Sequence, residues 1–174
     1  MSHRLPEQQD KPGTYMEEWL LEWLIENRLD PGEPERETSR IWGEILHWFF
    51  KLADGFSTGL ANPLGCGEVD LFLAHLVESY DDKILLVVEC EATNIEAQKQ
   101  AWEDGQSQLE RHLKAHGGTH QKFGAVAMGR AVRFYELIDG QLAPLLHDAT
   151  EYDIGRQCQD VISRLRYVQE SRNQ

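Results

Sequence analysis

Two neighbouring apolar runs constrain this chain more than any other feature. They are "EVDLFLAHLVE" at 68–78 and "KILLVVECEA" at 83–92, separated by a short polar turn around "SYDD". Both are rich in strand formers, and the turn between them is the length of a hairpin loop. Side chains alternate faces along a strand. One face then carries Phe72, Ala74, Leu76, Leu85 and Val87, and the other Val69, Leu71, Leu73, His75, Ile84, Leu86 and Val88. A hairpin that is apolar on both faces belongs in the middle of a sheet with layers above and below it.

The second run ends in an awkward way, with Glu89 and Glu91 on one face and Cys90 between them. If Glu78 faces Lys83, a favourable cross-strand charge pair, then Asp70 falls opposite Glu91 and Phe72 opposite Glu89. Asp70, Glu89 and Glu91 would then share one face. Three carboxylates at the end of a buried hairpin repel one another by several kcal/mol at an effective dielectric of about 20. They call for a proton, a basic neighbour or a divalent cation, and a hard cation such as Mg²⁺ suits carboxylate and carbonyl oxygens. The other reading is that the strands end here and the acids point into solvent.

The flanking sequence predicts helices at both ends. A helix is expected over 14–29, capped by Thr14, with Trp19, Leu20, Trp23 and Leu24 as its apolar stripe. Such a Trp-rich stripe could instead dock a partner or a second copy. "DPGEP" stops this helix, and a second is expected over 38–54, closed by Gly55. Its stripe is Ile41, Ile45, Trp48 and Leu52, widened by Trp42, Leu46 and Phe49. A short irregular strand is expected near 57–61. Beyond the hairpin come a helix over 95–115, one or two strands over 122–138 with a turn at Gly129-Arg130, and a final helix over 154–170. A helix crossing between strands predicts an α/β fold with a mixed sheet. Residues 1–13 read as a disordered polar tail and 14–174 as a single domain.

The formal charge of −13 is unevenly spread. Residues 1–91 carry 19 acids against 7 bases, and residues 92–174 carry 11 against 10. The general field therefore repels phosphate backbones, and a nucleic-acid partner would need a local basic patch or divalent cations. Arg111, Lys114, Lys122, Arg130 and Arg133 are the candidate phosphate contacts. Cys66, Cys90 and Cys158 have no metal-site spacing, and their odd number argues for a reducing, intracellular setting, nucleus or cytoplasm. No apolar run is long enough to span a membrane, and the N-terminal stretch lacks the apolar core of a signal peptide. His112 and His116 stand four apart with His120 beyond them, but histidines are also favoured at helix C-termini. There is no Gly-rich phosphate loop and no nucleophile elbow.

Asp70, a hairpin, "VVECEA" on the next strand and then a long Gln-rich helix resemble the PD-(D/E)XK phosphodiesterase superfamily, whose fold is restriction-endonuclease-like. Within it the chain is most similar to a group of such domains in fungal proteins. The family core is a helix, a three-stranded meander, a crossover helix and a further strand, and residues 38 to about 136 follow that order. The resemblance implies a metal-dependent nuclease using Mg²⁺ or Mn²⁺. Asp70, Glu89 and the Cys90 carbonyl would hold the ion, and Glu44 on the preceding helix would reach it. In the crossover helix "GQSQLERHL" offers Gln108 with His112 four residues on, and Gln106 as the alternative. The sequence departs from the motif where Val69 replaces a Pro and, more seriously, where Glu91 stands in place of the Lys. Some restriction enzymes carry Glu there as a ligand or base; other relatives without the Lys are inactive. The resemblance thus implies either a nuclease with Glu91 as third ligand or water-activating base, or a degenerate nuclease fold that binds protein or nucleic acid. A homodimer is compatible with both.

Overall fold

In the computed structural model, which describes residues 5–60, 71–76, 82–93, 98–115 and 122–171, the apolar runs form the centre of a seven-stranded sheet. Strands β1 (Phe56–Leu60), β2 (Leu71–Leu76) and β3 (Asp82–Glu91) make an antiparallel meander. Helix α3 (Lys99–Ala115) then crosses over and returns the chain to β4 (Lys122–Met128), which lies parallel to β3. A parallel neighbour requires such a crossover. The other ladders are antiparallel: β5 (Ala131–Ile138) pairs with β4, with β6 (Gln141–Pro144) and with the short β7 (Tyr152–Asp153). The result is a mixed α/β fold with a mostly antiparallel sheet and flanking helices.

Helices α1 (Trp19–Asn27), α2 (Glu35–Phe49) and α4 (Cys158–Glu170) cover one face, and α3 covers the other. Strand alternation divides the core accordingly. Leu86, Val88 and Cys90 of β3 join Ile41, Trp42 and Ile45 of α2, whereas Val87 joins Trp102, Leu109 and Leu113 of α3. All seven residues of β4 are buried, as suits a central strand with layers on both sides. Helix α3 sits unusually close to the sheet. A Cβ on Gly124 would lie 2.6 Å from Leu109, and one on Gly105 would lie 2.8 Å from Val126, so glycine on each side makes room for the other.

The hairpin register differs from the charge-paired expectation. Phe72 faces Val87 rather than Glu89, and Lys83 faces His75 rather than Glu78. The offset is already three positions in the pairs nearest the turn, and a bulge between Leu73 and Ala74 changes it by one, to two positions beyond it. The bulge also turns Ile84 toward α3 and Leu85 toward the larger core, the reverse of the simple alternation. Glu78 itself lies outside the described residues.

Other elements also depart from expectation. Thr14 caps a single 3-10 turn, Tyr15–Glu17, and α1 then presents Leu21, Leu24 and Ile25 to the core. Trp19, Leu20 and Trp23 face outward, 74%, 49% and 46% exposed. Helix α2 ends at Phe49, and Leu52 belongs to a separate exposed turn closed by Gly55 at a positive φ of 83°. Residues 94–97, within the expected start of α3, lie outside the described residues, and α3 begins at Lys99. Strands β6 and β7 had no counterpart in the sequence reading. Of the segment expected to be a disordered tail, residues 1–4 lie outside the described residues, and the part around Gln9 is held along α4. The Gln9 side-chain oxygen accepts from the backbone amides of Gln159 and Asp160, and the Gln9 amide donates to the Arg156 carbonyl. No side chain of α4's own cap residue, Gln157, does this work, so the remote glutamine satisfies otherwise orphaned first-turn donors. No helix among the described residues is long and apolar enough to cross a membrane.

Candidate functional site around Glu89

Alternation along β3 aims Glu89 at α3. The apolar stripe of α3 runs through Trp102, Gly105, Leu109, His112 and Leu113, which aims His112 back at the sheet. The two meet: His112 Nδ1 lies 2.5 Å from Glu89 Oε1, with both side chains 3% exposed. A carboxylate buried to this degree is stabilised by an imidazole that can carry the compensating charge, or by a shared proton. This is the most deeply buried acid–base contact among the described residues.

Around it the other sequence-predicted residues are spread out. Asp70 lies outside the described residues, as do His116 and His120. Glu91, two residues beyond Glu89, is half-buried, and its backbone carbonyl accepts from the Thr38 hydroxyl at 2.9 Å. That fully buried hydroxyl also accepts from the Gly129 amide, so it ties the first turn of α2 to the end of β3 and to the β4–β5 turn. Glu44 projects from α2, on the opposite face of the sheet from the Glu89 carboxylate. It lines a groove of about 520 Å³ with Arg36, Arg40, His47, Thr58 and Leu71. The Cys90 side chain is buried and turned to the larger core. Gln108 is half-buried; the glutamine that reaches the sheet is Gln106, whose amide donates to the Tyr135 hydroxyl. Burial holds the Tyr135 hydroxyl above its ordinary pKa, against the bonds from Gln106 and Arg133.

The basic residues do not gather into one surface. Arg133 stacks over Trp102 at 4.0 Å on the α3 face and pairs with Glu151 at 2.8 Å. Arg130 pairs with Asp153 at 3.3 Å and lies near Ile25, toward the other face. Lys114 pairs with Glu110 at 2.6 Å, one turn along the exposed side of α3, where Arg111 is also exposed. Lys122 is buried and donates to the Leu113 carbonyl at 2.8 Å, closing the C-terminal end of α3. Burial pushes its amine below the usual lysine range. The expectation that Lys122 contacts phosphate is therefore corrected: its ammonium is spent on a helix carbonyl.

Among the described residues no group of three or more His, Cys, Asp and Glu side chains is arranged to hold a metal ion. Glu89 and the Cys90 carbonyl are still the hard-oxygen type of donor that Mg²⁺ and Mn²⁺ take, and a carboxylate held through one oxygen can offer the second to a cation. Sequence reading found Glu89, and named His112 as the residue four beyond Gln108 but not as a partner of Glu89. The usable signal was the α3 stripe, in which a histidine occupies a core position. No protein-family model, curated protein or solved structure matches this chain.

Proposed function

We propose that this chain is a PD-(D/E)XK-type, restriction-endonuclease-like domain that hydrolyses nucleic-acid phosphodiesters with Mg²⁺ or Mn²⁺. The observation that carries the reading is the delivery of His112 from the crossover helix onto Glu89 at the end of the third meander strand. The resemblance expects Gln108 of the crossover helix to contact the site, and here His112, four residues further along the same helix, makes the contact. The element order α2, β1–β2–β3, α3, β4 adds to it.

In this reading Asp70, Glu89 and the Cys90 carbonyl would hold the ion, which when bound would stabilise charge developing on the phosphate. The chain's own residues do the rest. His112 fixes the rotamer of Glu89, and Thr38 anchors the backbone at Glu91 by bonding its carbonyl. Glu91, in place of the family's Lys, would accept a proton from the attacking water.

A second reading has its own support. A carboxylate already bonded to a buried imidazole, followed by Glu at the Lys position, also fits a nuclease fold that has become a protein- or nucleic-acid-binding module. One pair of measurements separates the two. Calorimetry with Mn²⁺ should give binding in the wild type and none in Asp70→Ala. A gel assay on plasmid and single-stranded DNA with Mg²⁺ or Mn²⁺ should give cleavage that the same substitution abolishes. Metal binding without cleavage selects the binding module, and binding in neither protein removes the nuclease reading.

A further inference from the structure

The outward side of α1 carries a ridge of Trp19, Leu20 and Trp23, a contiguous exposure of large apolar side chains that a soluble surface rarely shows without a partner. Trp19 and Trp23 stand four apart and so lie one above the other on the helix. Beside the ridge, between α1 and α2, runs a cleft of about 310 Å³ lined by Leu20, Leu24 and Trp48, with Glu18, Glu44, Arg40 and His47 as its polar residues. Ridge and cleft share Leu20, so one partner surface could cover the ridge and insert a side chain beside it.

The charge around this surface selects the partner. Glu18, Glu22 and Glu26 repeat at helical spacing alongside the two tryptophans. Glu22 is paired with Lys11, whereas Glu18, Glu26 and Glu44 have no ion-pair partner among the described residues. The nearby cations are Lys11 on Glu22, Arg28 on the Trp23 ring at 5.8 Å, Arg40 at 3.6 Å from Glu37 and Lys51 over the Trp48 ring at 5.7 Å. Helix α1 with its cap residues sets Glu18, Glu22 and Glu26 against Arg28 alone. A membrane-binding helix carries Lys and Arg beside its tryptophans, because anionic headgroups repel carboxylates. A second copy of this face would bring the same carboxylates together. A cationic amphipathic helix, with apolar residues on one side and Lys or Arg on the other, satisfies both the ridge and its acidic border.

We infer that α1, with the cleft beside it, is a docking site for a cationic amphipathic helix of a partner protein, through Trp19, Leu20 and Trp23 with Glu18 and Glu26 as counter-charges. Nothing in this depends on the Glu89 site, which lies on the far face of the sheet.

The test uses the whole chain and a fluorescein-labelled synthetic helix with Leu on one face and Lys on the other. Its counterpart with Glu for Lys, and vesicles of phosphatidylcholine with phosphatidylserine, complete the set. Anisotropy should report saturable binding of the Lys helix and none of the Glu helix. The paired change Trp19→Ser and Trp23→Ser should weaken it at least about tenfold, as loss of central aromatic anchors does. Glu18→Lys with Glu26→Lys should weaken the Lys helix and admit the Glu helix. All these positions are exposed or at the surface, and circular dichroism checks that each variant folds. Equal affinity for both helices, or unchanged affinity in the tryptophan variant, overturns the proposal. So does tryptophan-dependent binding to vesicles, or tryptophan-dependent self-association in sedimentation without helix binding.

Discussion

The two faces of the sheet are built on different principles. The face under α1, α2 and α4 is thick and almost wholly apolar, with Trp42, Ile41, Ile45, Leu46 and Leu165 excluded from solvent. Its few buried polar groups tie backbone together: Thr38 joins Glu91 to Gly129, and the Tyr15 hydroxyl donates to the Ile154 carbonyl. The face under α3 is thin and covered by one helix, yet it holds side chain bonded to side chain: Glu89 with His112, Gln106 with Tyr135, and Arg133 on Trp102. A thick face can be stabilised by area alone. A thin face that spends burial on polar pairs is the place to look for chemistry, because such pairs cost more than apolar packing and specify more.

The largest expected effect that would break this contrast is at Glu89 and His112. Glu89→Leu or His112→Leu alone strands a buried polar group and should cost about 3–5 kcal/mol. The double substitution should recover much of that, because an apolar pair replaces a polar one. Urea denaturation of the four proteins measures the coupling. Strictly additive losses would mean that this contact is no different from those of the thick face.

Gly124→Ala sharpens the contrast in packing. Its Cβ would fall 2.6 Å from Leu109, so α3 must lift or Leu109 must change rotamer, at about 1–3 kcal/mol. The same denaturation assay checks it, and a neutral result would show that α3 has slack on the sheet.

The smallest effect lies at the margin of the thick face, at Asp148, which bonds to Tyr152 and to Arg164 of α4. Bonds from the Thr150 hydroxyl first, then from Tyr152, and also from Arg164, hold its carboxyl well below the usual range. A depressed carboxyl stabilises the fold fully above its unfolded value of about 3.9, and this contribution is lost as pH falls toward the folded value. Asp148→Asn should therefore lower stability at neutral pH slightly and flatten the decline below about pH 4. Thermal unfolding between pH 7 and pH 3 measures it, and an unchanged acid slope would contradict the assignment.

The features legible in the sequence were those set by local pattern. Period-two apolarity on both faces of β3 identified a central strand and put Glu89 on the same side as Val87. Gly129 and Arg130 marked the β4–β5 turn, and the long polar–apolar repeat marked α3 as a crossover helix. What failed depended on tertiary choices between equivalent patterns. Helix α1 offers two apolar stripes; the core took Leu21, Leu24 and Ile25, and the aromatic stripe was left outside. The hairpin register is offset from the charge-paired one already at His75 and Lys83, and no residue type announces the bulge that shifts it once more. Of the candidate site, Glu89 was readable from alternation and His112 from its place in the α3 stripe. Their contact was not, since it rests on how closely Gly105 and Gly124 let the helix approach.

The contact of Gln9 with the first turn of α4 has a consequence in time. Gln9 bridges to Asp160, 151 positions away, so that helix end is completed only after residue 160 has emerged. Closing so long a loop is slow compared with forming the hairpins between. The segment thus works as a late fastening on an already formed sheet. Its release would loosen α4 first, about 150 positions along the chain from where the change was made.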